Sequence, residues 1–118
     1  MRSLIIPVEG DCTTTIDEPN TAARVLLGTE MLQVVSARAL GRERIYVLYI
    51  DDWGKTNERP INRRAWALYG GSPIYGLAVL AADDQAPIDP AIIELVTGAD
   101  FPPPEVLALM DDWLEAHP

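Results

Sequence analysis

Asp51, Asp52, Asn62, Arg63 and Arg64 are the residues of this chain best equipped for binding chemistry. The two carboxylates close the apolar run Ile45 to Ile50, and the other three open a helical pattern a short loop further on. A strand end packed beside a helix start gathers carboxylates, guanidinium groups and free backbone N–H groups, a constellation able to hold a phosphate or a nucleotide. A structural account competes with it. Asn62 caps the helix, Asp51 fixes the turn, and the arginines are solvated or paired with Asp51 or Asp52; capping alone accounts for Asn62.

Three Asp pairs, Asp51-Asp52, Asp83-Asp84 and Asp111-Asp112, raise magnesium-dependent nuclease or transferase chemistry. Sequence neighbours rarely share a face of a strand or helix, however, and no Lys or His base accompanies them in a motif. No catalytic residue, metal ligand or cofactor is therefore assigned, and the chain is read as a non-enzyme. Trp53, Trp66 and Trp113 could stack on bases, but a neutral body joined to an acidic tail repels nucleic acid, so direct nucleic-acid binding is set aside. Trp66 reads instead as core and Trp113 as the anchor of the last helix. Cys12 is alone, which excludes an internal disulfide framework and fits a reducing cytoplasm. His117 is the sole histidine and lies beside the end, a poor place for catalysis or a multi-histidine metal site. The run Leu4 to Val8 is too short for a signal peptide, and no stretch is long and apolar enough to span a membrane. The expectation is a cytoplasmic protein that does not engage membranes.

The elements that must position these residues follow from periodicity. With 118 residues, 48% of them hydrophobic, one core suffices. Arg2 to Val8 reads as a strand, with Pro7 marking an edge or the end of pairing. Glu9-Gly10 is a hairpin turn, and Asp11 to Ile16 alternates as a half-exposed strand. A helix follows, capped by Asp17, with Pro19 in its first turn, a stripe of Ala22, Val25 and Leu26, and Gly28 as its stop. Met31 to Ala37 is a third strand, with helix as the weaker alternative. Ile45 to Ile50, apolar on both faces, is a central strand. Asn62 then starts a helix with Ala65, Leu68 and Tyr69 on one face, ended by Gly70. Ile74 to Ala82 is the last strand, in which the missing side chain of Gly76 leaves room for a Trp or Tyr. Short helices at Ala91 to Val96 and Glu105 to Ala116 complete the chain, the latter carrying Val106, Leu107, Met110, Trp113 and Leu114 toward a docking surface. The fold class is α+β: a mostly antiparallel sheet of about five strands, packed helices and a helical acidic C-terminal arm.

Charge divides the chain at residue 82. Residues 1–82 hold nine acids and all nine bases, so they are neutral, and the whole net charge of −9 resides in 83–118, which contain no Lys or Arg. Such asymmetry marks an interaction segment. Within it Asp111, Asp112 and Glu115 crowd a helix C-terminus, where the macrodipole disfavours anions. Local stability does not select that arrangement, so these three and Trp113 form the candidate partner-binding face. Docking of the arm on Arg38, Arg42, Arg44 and Arg59, within one chain or swapped across a homodimer, is the structural alternative.

Four segments, Leu4 to Gly10, Tyr49 to Gly54, Pro60 to Ala65 and Ile74 to Val79, resemble in order and spacing a domain-of-unknown-function family of small bacteriophage and conjugative-element proteins. The resemblance covers about residues 2–82 and leaves the acidic segment outside. It implies a phage or mobile-element origin and, if phage-encoded, the host cytoplasm; it supplies no activity or catalytic residues. The function expected is a non-enzymatic accessory protein that binds a host protein with a basic surface, countering host defence or physiology. The alternative is a nucleotide-like small-molecule binder or sponge using the Asn62 helix start.

Overall fold

The apolar runs and alternations resolve into five strands and four helices in the computed structural model, which describes residues 1–28 and 31–118. The strands are β1 (Ser3–Ile6), β2 (Thr13–Thr15), β3 (Leu32–Ser36), β4 (Tyr46–Asp51) and β5 (Ala78–Ala82). The helices are α1 (Pro19–Leu27), α2 (Arg63–Tyr69), α3 (Pro90–Thr97) and α4 (Pro104–Ala116), and a single 3-10 turn spans Arg38–Leu40. The strands form one antiparallel sheet in the order β2-β1-β5-β4-β3. This is the α+β architecture the periodicity predicts. β4 and β5 hold the central positions because their side chains are apolar on both faces, whereas β3, exposed at Gln33, Val34 and Ser36, sits at an edge. β1 lies inside the sheet, and its pairing stops before Pro7.

Alternation assigns each strand residue to a face. Leu4, Ile6, Leu48, Ile50, Ala78 and Leu80 face one side, where Ala65 and Leu68 of α2 join Ile74, Ile88 and Val96 to close the main core. The opposite side is thinner, with Ala23 and Leu27 of α1 lying on Val79 among Leu32, Tyr49 and Leu77. Two expectations for α1 are corrected here. Its N-cap is Glu18, not Asp17, and Thr21 donates a hydrogen bond to the Glu18 carboxylate at 2.9 Å. Its buried stripe is Pro19, Ala22, Ala23 and Leu27, while Val25 and Leu26 face solvent. Small side chains let the helix lie close to the sheet, so the alanines win the buried arc over the larger residues beside them.

The segment 83–118 packs on its own chain rather than hanging free. Ile88, Val96 and Met110 are buried, the Ile88 N–H donates to the Met1 carbonyl at 2.8 Å, and the Asp89 N–H donates to the Tyr46 hydroxyl at 3.1 Å. Of the arginines expected to receive the arm, only Arg44 does so among the described residues, through the Pro87 carbonyl at 2.6 Å and Asp84 at 3.8 Å. Arg59 belongs to Asp51, Arg38 lies over the Tyr69 ring, and the main charge contact is Arg63 with Asp111 at 2.8 Å.

Gly76 admits no aromatic ring. The side chain of Arg59 lies against it instead, its Cδ 3.2 Å from where a Cβ would stand. The tightest glycine is Gly54, whose Cβ would meet the Tyr75 carbonyl oxygen at 2.6 Å and the Tyr75 Cβ at 3.1 Å. Backbone holds this contact, so nothing flexible can yield. Gly54→Ala is expected to cost about 1–3 kcal/mol in chemical denaturation; a variant as stable as the parent would show that the Asp51–Arg59 turn is not seated on Tyr75.

Candidate functional site

Asn62 starts α2 as its sequence context predicts. Its Oδ1 accepts from the Ala65 N–H at 3.0 Å, and Gly70, at φ +75°, ends the helix in the left-handed conformation that glycine adopts without strain. Its amide nitrogen does something no local pattern announces, donating to the Ile6 carbonyl at 2.8 Å and the Gly76 carbonyl at 2.9 Å. The side chain is fully buried, with both donors and one acceptor engaged. Asn62 thus ties β1, the approach to β5 and α2 into one knot. Arg64 is spent nearby, donating to the Pro7 carbonyl at 2.7 Å and the Gly10 carbonyl at 2.8 Å. Arg63 pairs with Asp111 of α4 across an exposed surface, a contact worth under about 1 kcal/mol.

Asp51 and Asp52 stand apart from this knot. Asp51 is buried, its Oδ1 accepting from the Trp53 N–H at 3.0 Å and its Oδ2 lying 3.8 Å from Arg59 Nε without a hydrogen bond among the described residues. Asp52 is exposed, and its backbone N–H bonds the Met31 carbonyl at 2.8 Å. Both line a cleft of about 340 Å³ with Tyr69, Tyr75 and Trp113, but Asn62, Arg63 and Arg64 do not line it. The five residues therefore split into separate groups. The turn, the cap and the inter-helix pair each use a part, and the guanidinium groups are committed to carbonyls and carboxylates of the chain itself.

The other set, Asp111, Asp112, Trp113 and Glu115, lies on the last turns of one helix, α4. Trp113 packs edge-on against Trp66, with ring centroids 5.6 Å apart, and stacks on His117 at 4.0 Å. Trp66 is buried and its indole N–H donates to the Gly71 carbonyl at 2.9 Å, so it is core as expected, while Trp113 remains 37% exposed. Asp111 is neutralised by Arg63; Asp112 and Glu115 are exposed and make no ion pair among the described residues. Between α2 and α4 runs an apolar groove of about 230 Å³ lined by Trp66, Ala67, Gly70, Gly71, Val106, Leu109, Met110 and Trp113. Leu109, 67% exposed, is the groove residue that the docking stripe leaves out. The signal was present: Val106, Leu109, Met110 and Trp113 fall at i, i+3, i+4 and i+7, an apolar arc wider than the face that docks.

All nine carboxylates of residues 83–118 are exposed. Of these nine, only Asp84 and Asp111 take part in ion pairs among the described residues, and no group of three or more described His, Cys, Asp or Glu side chains is arranged to hold a metal ion. Cys12 packs beside the main core, where burial pushes its thiol pKa up against the lowering effect of Arg64, which keeps it a thiol rather than a nucleophilic thiolate at neutral pH. No helix of the described residues is long and apolar enough to cross a membrane. Comparison with protein-family models, with curated proteins and with solved structures finds no match to this chain.

Proposed function

We propose that this chain is a non-enzymatic accessory protein of a bacteriophage or mobile element that binds a basic surface of a host protein, countering host defence or physiology. The observation that carries the reading is the acidic surface of residues 83–118, where nine exposed carboxylates, five of them on α3 and α4, stand on a segment anchored into the core with no basic residue among them. Rigid anchoring matters. Charges held on docked helices meet a partner without first ordering a flexible tail, so less affinity is lost to conformational entropy. The phage origin rests on the four segments that resemble the small phage and conjugative-element family. The acidic-surface reading is favoured over the nucleotide-sponge alternative because Asn62, Arg63 and Arg64 already have partners within the chain.

The test is charge neutralisation at positions that carry no packing role. Glu94→Gln, Glu105→Gln, Asp112→Asn and Glu115→Gln together remove four negative charges from exposed side chains. The quadruple variant is expected to keep its melting temperature within a few degrees while losing the host protein that the parent retains on co-purification. Association should also slow with rising salt for the parent and much less for the variant. Equal retention of the partner by both proteins refutes the acidic-surface reading.

A further inference from the structure

The groove between α2 and α4 is the place where acidic charge and exposed apolar surface coincide. Leu109 projects beside it, and the residues one helical turn either side of Leu109 on α4 are Glu105 and Asp112, with Val106 and Trp113 completing the same surface. Its opposite wall is formed by Trp66 and by Gly70, whose lack of a side chain keeps that wall low. Both flanking carboxylates are exposed and unpaired among the described residues.

We propose that this groove receives a basic amphipathic helical segment of the partner protein. One apolar side chain of that segment would enter between Trp66 and Leu109, and its Lys or Arg residues would meet Glu105 and Asp112. This deepens the acidic-surface reading and rests on it. Charge complementarity selects the occupant: an acidic or neutral segment would bury Glu105 and Asp112 without a counter-charge, and a purely basic one would leave Leu109 and the Trp113 edge in water. The helical form follows from the groove itself, which lies between two helices and offers anchor spacing of one turn, the geometry that helix-in-groove recognition uses.

Two synthetic peptides of equal composition test it on the full-length protein. One places leucines at i, i+3, i+4 and i+7 with lysines on the remaining face, and the other distributes the same leucines around the helix. Titration followed by amide chemical shifts is expected to show saturable binding of the first, with changes centred on Trp66, Gly70, Leu109 and Trp113, and markedly weaker binding of the second. Leu109→Glu decides between contact and charge. It adds a negative charge at a solvent-facing position, so a charge-only surface would bind the basic peptide more tightly, whereas the groove predicts a loss of about tenfold or more. If both peptides bind alike and Leu109→Glu is neutral or tighter, the groove is overturned while the acidic-surface reading survives. If neither peptide binds, both fall.

Discussion

A chain cut after Ala82 is expected to lose cooperative unfolding, showing a broad, weak thermal transition and little near-ultraviolet dichroism. Charge alone argues the opposite, since residues 1–82 are neutral and look self-sufficient. Packing overrules it. Ile88, Val96 and Met110 are buried to 5% exposure or less, and the first two belong to the cluster formed by Leu4, Leu48 and Leu80. Each such side chain is worth about 1.5–3 kcal/mol on burial, so the three together supply about 5–9 kcal/mol, comparable to the whole stability of an ordinary domain at about 5–15 kcal/mol. The cut also leaves Tyr46 and the Met1 carbonyl without their partners at 89 and 88. The neutralised quadruple variant is the matched control, because it changes charge without touching these contacts. A truncated protein that melts sharply near the parent temperature would show that 83–118 is an appendage.

Asn62→Ala is the point substitution with the largest expected effect, a loss of about 3–5 kcal/mol and roughly 10–20 °C in melting temperature. The variant leaves the Ile6 and Gly76 carbonyls without the amide donors and the Ala65 N–H without its cap, all inside the fold, at about 1–3 kcal/mol for each buried group left unsatisfied. An exposed cap would cost only about 1 kcal/mol, so the size of the loss separates a buried knot from ordinary capping. Asn62→Asp adds a pH signature. A carboxylate at 62 still accepts from Ala65 but faces two carbonyl oxygens in a buried site, which raises its folded-state pKa above the unfolded value of about 3.9. The folded state then binds more protons than the unfolded state, so stability is retained below about pH 4 and falls by about 1.4 kcal/mol per pH unit above it until the folded pKa is reached. Denaturation midpoints collected across that range check the sign; a flat Asn62→Asp profile relative to the parent would mean that the side chain is solvated.

The sequence by itself determined the parts governed by near neighbours. Asn62 and Gly70 set the limits of α2 because capping and left-handed termination act within one turn, and Ile45 to Ile50 had to be a central strand because it offers no polar face to water. The class of sheet and the concentration of charge after residue 82 were equally legible. Tertiary structure decided what each side chain was for. Asn62 meets Ile6 across 56 positions of chain, and Arg63 reaches Asp111 on the last helix, so two groups that looked poised for a ligand are occupied by the protein itself. The helical period shows how wide an apolar arc is, but only packing shows which part of it is covered. Val25 and Leu26 were left outside α1's buried stripe, and Leu109 was left lining an apolar groove flanked by carboxylates, because close approach favoured alanine on one helix and a tryptophan pair fixed the rotation of the other.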